Sequence, residues 1–168
     1  MKGKYKALDI ANMFVEFVNA IPDDSIDNMK VNKLCYYSQA WCLTRLGYPL
    51  FSDDVEAWKY GPLIPSVYNA FKCCGKNPII EPTYHFDEDK LTSEELSLLV
   101  DVYMTYGKYT SIALSDKTHQ PGTPWKTVFE EGKNNTIPND LMVKWFSESN
   151  ELEVFKPNLS EENVVKYD

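Results

Sequence analysis

Few side chains in this sequence could take part in catalysis, and they are scattered along the chain. His85 and His119 are the two histidines, and no Cys-x-x-Cys pair accompanies them. A metal site needs clustered ligands, so we expect no bound metal and no cofactor. The seven glycines stand singly, so the sequence contains no Gly-rich phosphate-binding loop.

Any nucleophilic site would have to be built around His119. Ser111 and Ser115 precede it on the same segment, but neighbours on one helix need a tertiary partner to act as nucleophile and base. One alternative that stays open is a hydrolase in which His119 works with Glu56. The simpler interpretation is that His119 pins the turn before Pro121 by hydrogen bonding.

The acidic pairs and the cysteines have structural explanations. Asp23-Asp24 and Asp53-Asp54 precede helix starts, where carboxylates stabilise a helix N-terminus. Cys35 and Cys42 would lie ~10 Å apart on one helix, too far for a disulfide. A bond between the adjacent Cys73 and Cys74 would be strained. We therefore expect reduced thiols, as in the cytoplasm.

Length and charge limit the class of protein. A chain of 168 residues with 43% hydrophobic residues is most simply one domain with its own core. A net charge of −8 disfavours binding to DNA or RNA, which needs a basic face. Residues 86–101 are acidic, with Lys90 as their only base. No apolar run approaches the ~20 residues that span a bilayer, and no signal peptide is evident. We expect a cytoplasmic protein without membrane contacts.

The hydrophobic periodicity predicts a mainly α fold. We expect helices at 7–21, 28–46, 62–74, 92–106, 111–117 and 125–131, and a last one from 138 onward. Asp27 or Asn28, Thr92 with Glu95, and Thr110 or Ser111 are their capping residues. Ile79–Glu81 is expected to pair with Val55–Trp58. The predicted architecture is a compact single-domain helical bundle (1–149) with at most a small two-stranded β element, followed by an acidic, poorly ordered tail (150–168).

The stretch 55–65 combines an aromatic segment with a sharp corner. In an extended segment Glu56, Trp58 and Tyr60 would share one face. Gly61-Pro62 would then turn the chain into a helix, with Pro62 in its first turn. These rings either close a core or form a docking surface for another protein.

The stretch 118–125 is the second unusual segment, with a histidine, two prolines and a tryptophan close together. A docking surface would draw on both stretches, and Trp125 is a further possible anchor. No catalytic residue is predicted. The candidate partner-binding residues are Trp58, Tyr60, Gly61, Pro62, Pro65, Tyr68, His119, Pro124 and Trp125.

These motifs occur in the same order in a known family. The chain resembles the Panacea-domain proteins, also called SocA-like antitoxins and long labelled phage-associated proteins. The resemblance covers residues 5–146 and rests on Lys33-Leu34, Tyr36-Tyr37, Gln39, Gly47–Phe51, Glu56-Ala57-Trp58, Tyr60-Gly61-Pro62, Pro65–Tyr68, Leu114, Thr118-His119, Pro124-Trp125, Ile137 and Trp145-Phe146.

The resemblance implies an α-rich antitoxin that is encoded beside a toxin and binds it directly. Some relatives are thought to deliver the toxin to a cellular protease. Others carry an added DNA-binding segment, which we do not expect here because few residues precede the first helix. The alternative is a phage or mobile-element protein that binds a host factor. The sequence leaves the toxin's identity and the oligomeric state open.

Overall fold

The computed structural model describes residues 2–149 and 151–152, and over these residues the chain is mainly helical. This part of the chain forms seven α-helices: α1 (Ala7–Asn19), α2 (Asn28–Arg45), α3 (Pro65–Phe71), α4 (Ser93–Tyr106), α5 (Ser111–Thr118), α6 (Pro124–Val128) and α7 (Asn139–Glu148). It also forms short 3-10 helices at Lys72–Cys74 and Glu88–Lys90, and strands β1 (Glu56–Trp58), β2 (Gly61–Leu63) and β3 (Asn135–Thr136). The predicted mainly α, compact fold is confirmed, with three strands where at most two were expected.

Helix α2 is the centre of the fold. Residues 30–42 are buried without a break, and the helix contacts α1, α3, α4, α5, α7 and β2. Its start is capped by Asp27, whose side chain accepts a hydrogen bond from the backbone N of Lys30 (2.8 Å). A helix that is surrounded on all sides must be apolar or must have its polar side chains hydrogen-bonded within the protein. This explains why its sequence shows no separate polar face.

Gln39 of α2 satisfies the backbone of the segment that follows the helix. Its Nε2 donates to the carbonyl of Phe51 (2.8 Å), and its Oε1 accepts from the backbone N of Leu50 (2.8 Å) and of Phe51 (3.2 Å). All three contacts are buried, so no water can replace them. The single side chain fixes how the chain returns along α2 towards β1.

Two asparagines of α2 form hydrogen bonds with the backbone of the segment that contains β2 and α3. Asn32 Oδ1 accepts from the backbone N of Ile64 (2.9 Å), at the junction of the two elements. Asn32 Nδ2 donates to Asn28 Oδ1 (2.9 Å), and Asn28 Nδ2 donates to the carbonyl of Tyr68 (3.0 Å). The path of the segment 61–68 is therefore set by polar side chains within the core.

The sheet has the strand order β2-β1-β3, and both pairings are antiparallel. The expected pairing of Val55–Trp58 with Ile79–Glu81 is wrong, because β2 and β3 occupy the two sides of β1. Ile79 is instead buried, and its backbone N donates to the carbonyl of Ile26 (2.8 Å). Asn135 and Thr136 form β3 and pair with Ala57 and Glu56.

Helix α3 begins three residues later than predicted. Pro62 lies in β2, paired with Ala57, and Pro65 occupies the first turn of the helix. Proline suits a first turn because its missing N–H would have no helical partner there. Helix α6 likewise ends at Val128, short of the predicted Glu131.

The carboxylate of Glu95, at the start of α4, connects three segments of the chain. The predicted capping box is confirmed, with Thr92 N donating to Glu95 Oε1 (2.9 Å) and Glu95 N donating to Thr92 Oγ1 (3.1 Å). The same buried carboxylate accepts from Tyr5 Oη (2.6 Å), Tyr48 Oη (2.7 Å) and Lys4 Nζ (2.9 Å). Burial alone would raise the pKa of Glu95, but these hydrogen bonds outweigh it and lower the pKa to about 2.

The acidic tail expected at 150–168 lies outside the described residues, apart from residues 151–152. In the part of the chain that the structure describes, no helix is long and apolar enough to cross a membrane.

Replacing Gln39 by Leu should lower the free energy of unfolding by about 2 kcal/mol or more, because buried backbone groups at residues 50–51 would lose their partners. Urea denaturation measures the change. The matched control is Gln120→Leu on the surface, which should change stability by about 0.5 kcal/mol or less. Equal effects of the two substitutions would contradict the role of Gln39.

Glu95→Gln should reduce the acid sensitivity of folding. The folded-state pKa of about 2 lies below the ordinary value of 4.5, so the ionised carboxylate stabilises the fold above pH 4.5, and this stabilisation is lost as the pH falls towards 2. At pH 7 the wild type should exceed the variant by about 2–3 kcal/mol. Denaturation curves at several pH values test this, and a difference that does not shrink between pH 4.5 and 2 would contradict it.

Candidate functional site

Strands β1 and β2 form a hairpin whose turn is Lys59-Tyr60, with Trp58 paired to Gly61. Trp58 Nε1 donates to Glu56 Oε1 (2.9 Å), so these two side chains share a face, as expected of alternate strand residues. Tyr60 falls in the turn, and the strand alternation that predicted a shared face with Trp58 does not apply to it. We call residues 56–65 the corner.

Helices α5 and α6 hold the turn of the corner through its carbonyl groups. Ser115 Oγ donates to the carbonyl of Tyr60 (2.5 Å), and Trp125 Nε1 donates to the carbonyl of Trp58 (2.7 Å). The two unusual stretches of the sequence therefore meet in space. The hydroxyl of Ser115 is a structural donor here and is not paired with a base.

His119 lies in a stack of aromatic rings. Its ring centroid is 3.8 Å from that of Trp125, which in turn lies 4.4 Å from that of Phe129. The predicted hydrogen bond from His119 to the adjacent turn is not the observed role, because the ring is placed by stacking. Its Nε2 is buried and has no hydrogen-bond partner among the described residues. Burial, and then the charges of Lys33 and Lys126, lower the pKa of His119 against the opposing effect of Asp116.

Lys33 of α2 lies beneath the corner and is only 2% exposed. Burial lowers its pKa from 10.5 to about 7, although Asp27 acts in the opposite direction. Gly61 has a φ of +116°, and a Cβ there would lie 2.6 Å from Lys33 Cε and 2.8 Å from Thr118 Oγ1. The corner thus requires glycine at 61 for both its backbone conformation and its contact with the lysine.

The structure brings the nine predicted partner-binding residues to one region but gives them different exposure. Gly61, Pro62, Pro124 and Trp125 are buried, with Trp125 only 4% exposed. The residues of intermediate exposure are Trp58, Pro65, Tyr68 and His119. Tyr60 is 59% exposed. Trp125 is consequently part of the core that positions the corner, and the ring open to solvent is that of Tyr60.

The site offers little for catalysis. The carboxylate of Glu56 accepts a hydrogen bond from the indole of Trp58. Neither Glu56 nor His119 lines the cavities of about 560 Å³ and about 230 Å³ elsewhere in the fold. Within residues 2–149 and 151–152, no three His, Cys, Asp or Glu side chains are grouped to hold a metal ion. The four cysteines are free thiols.

Sequence reasoning missed two residues of this region. Lys33 enters the sequence analysis only as part of a family motif, although a lysine in a helix without a polar face indicates a buried charge. Ile112, on the first turn of α5, is 70% exposed. Its exposure has no signal in the sequence, since an isoleucine at helical spacing is normally taken for a core residue.

Replacing Lys33 by Met should stabilise the protein at pH 7 and alter its pH dependence. Between pH 7 and 10.5 the lysine is neutral in the folded state and charged in the unfolded state, so wild-type stability should rise with pH across this window. The Lys33→Met variant should lack this rise and exceed the wild type by roughly 2–4 kcal/mol at pH 7. Denaturation at pH 7, 8.5 and 10 measures both, and a constant difference would contradict a buried, perturbed lysine.

Comparison with known proteins identifies the family of this chain. Residues 31–126, more than half of the chain, match the family described as Antitoxin SocA-like, Panacea domain. The chain is also similar to Antitoxin SocA of Caulobacter vibrioides (strain NA1000 / CB15N), at 27% identity over 128 residues that cover 71% of this chain and 68% of the relative. No solved structure matches. The family match begins at Val31 within α2, includes the corner and helices α3 to α5, and ends within α6. The chain therefore belongs to the SocA-like antitoxin family that is defined by the Panacea domain.

Proposed function

We propose that this protein is an antitoxin that neutralises a cognate protein toxin by binding it directly in the cytoplasm. Membership of the SocA-like antitoxin family supports the class of function, as does the similarity to a relative named Antitoxin SocA. A role in binding needs a stable surface of defined shape. The corner has this property, because its turn is held by hydrogen bonds from α5 and α6.

The observation that carries the proposal is the exposed ring of Tyr60 on a rigid support. The carbonyl groups of Trp58 and Tyr60 are both held by buried donors, and Gly61 is in contact with Lys33. A surface that is ordered before binding loses little conformational entropy on association. Exposed tyrosines in such positions are frequent hot spots of protein interfaces.

Two other functions were compatible with the sequence. A protein that binds a host factor would use the same corner, and the identity of the adjacent gene separates this alternative from an antitoxin. A hydrolase built on His119 and Glu56 finds no support in the geometry, because the histidine is stacked on Trp125 and the carboxylate accepts from Trp58.

Coexpression with the product of the neighbouring gene tests the proposal. The wild-type chain should restore growth and copurify with that product. Tyr60→Ala should weaken the complex by about 2 kcal/mol or more, as expected for a hot-spot residue, while the variant stays folded. The matched control is Tyr84→Ala, since Tyr84 is also exposed but lies outside the corner. Failure of the wild type both to restore growth and to copurify would refute the proposal.

Direct binding could neutralise the toxin by masking it or by delivering it to a cellular protease. The half-life of the toxin in growing cells separates the two routes, because masking leaves it unchanged or longer and delivery shortens it. We propose binding as the step common to both.

A further inference from the structure

The charge of the chain is divided unevenly between two parts of the sequence. The segments 57–80 and 104–128 together contain six lysines and one acidic residue, Asp116, whereas the rest of the chain has 11 basic and 24 acidic residues. The protein as a whole is therefore strongly acidic, with two basic segments within it. These segments carry helices α5 and α6 and the corner apart from Glu56, whose carboxylate accepts a hydrogen bond from Trp58 Nε1.

The fold brings the two basic segments together. Helix α5 contacts both β2 and α6, and Ser115 and Trp125 donate across this junction to the corner. Lys59 lies in the hairpin turn with its Nζ 5.5 Å from the ring centroid of Tyr60. Lys126 follows Trp125 on α6 and is exposed. Two lysine charges thus flank the contact between the hairpin and the helices.

An exposed apolar pair lies in the same place. Ile112 is 70% exposed and Tyr60 is 59% exposed. Ile112 precedes Ser115 by one helical turn, so their Cβ atoms are about 5–6 Å apart, and Ser115 Oγ is bonded to the carbonyl of Tyr60. We call Lys59, Tyr60, Ile112 and Lys126 the corner face.

We propose that the corner face binds an acidic segment of the partner protein, in which carboxylates lie beside at least one apolar side chain. The carboxylates would meet Lys59 and Lys126, and the apolar side chain would contact Tyr60 and Ile112. This inference rests on the proposed function, since the partner in question is the cognate toxin. It adds the chemistry by which the toxin is recognised.

Charge complementarity and the apolar pair favour an acidic polypeptide over a nucleic acid. A phosphate chain would meet lysines here but would run on into a molecule whose remaining residues are strongly acidic. Exposed tyrosine and isoleucine side chains gain most from apolar contacts, which a protein segment supplies. Asp116 is the one acidic residue of the two segments.

The test is a double charge reversal with a matched control. Lys59→Glu/Lys126→Glu should weaken binding of the neighbouring gene's product by about tenfold or more, and the affinity of the variant should depend less steeply on salt concentration than that of the wild type. Lys2→Glu/Lys90→Glu changes the net charge equally at two exposed lysines outside the basic segments and should change the affinity by about twofold or less. Circular dichroism and urea denaturation confirm that both variants are folded.

Suppressor selection gives a second, independent readout. Changes in the toxin that restore its binding to Lys59→Glu/Lys126→Glu should replace Asp or Glu by a neutral or basic residue. Suppressors at basic positions of the toxin would overturn the proposal, and so would a double reversal that binds as tightly as the wild type. Ile112→Ala should also weaken binding about tenfold, and its failure to do so would remove the apolar half of the proposal.

Two further outcomes would assign the face to a different occupant and overturn the proposal. One is nuclease-sensitive copurification of nucleic acid that the double reversal abolishes. The other is a concentration-dependent dimer that the double reversal abolishes, which would place an acidic surface of a second copy on the face. Growth rescue by the wild-type protein distinguishes a failure of the corner-face proposal from a failure of the proposed antitoxin function. If rescue occurs but charge reversal has no effect, the function stands and the corner face is wrong. If the wild type neither rescues nor copurifies, the proposed function itself fails.

Discussion

The hydrogen bonds from buried polar side chains of α2 to the backbone around it are the constraint on which the rest of the structure depends. Gln39 satisfies the backbone at residues 50 and 51, and Asn32 satisfies that at residue 64. Lys30 Nζ donates to the carbonyl of Gly107 (2.6 Å), at the end of α4. These groups are removed from water, so an alternative path of the chain would leave them without partners at a cost of about 1–3 kcal/mol each. The central helix thus specifies the paths of its neighbours as well as their packing.

The corner is constructed in layers upon that helix. Lys33 forms the floor, Gly61 lies in contact with it, and the donors of α5 and α6 hold the turn above. Burial of Lys33 has a free-energy cost, because an amine held away from water can keep its charge only unfavourably, as its lowered pKa shows. His119 adds a buried nitrogen without a partner among the described residues. Buried groups that lower stability in this way are common at functional sites, where a defined surface matters more than maximal stability.

The result is a surface whose exposed part is small and whose support is large. Most of the aromatic and proline residues of the two unusual stretches position the corner, and the open ring belongs to Tyr60. This division agrees with how protein interfaces obtain affinity. A few anchoring side chains contribute most of the binding energy, and the surrounding structure keeps them in place. In the proposed binding role, the lysines of the corner face would contribute selectivity, because charge affects the choice of partner more than the affinity.

The amino-acid sequence by itself determined which segments are helical and where α2, α4 and α5 start. Asp27, Thr92 and Thr110 cap helices as predicted, because capping depends on residues within one turn of each other. The order of the motifs was also enough to indicate the family. The pairing of β1 with β3 could not be predicted, because Glu56 pairs with Thr136, eighty residues away along the chain, and no local pattern selects such a partner. Tertiary structure also decided which side chains are exposed to solvent, because burial depends on contacts between segments that are distant in the sequence. Trp125 and Tyr60 are both aromatic residues beside a turn, but packing of α6 against the corner buries one, whereas the hairpin turn leaves the other in solvent.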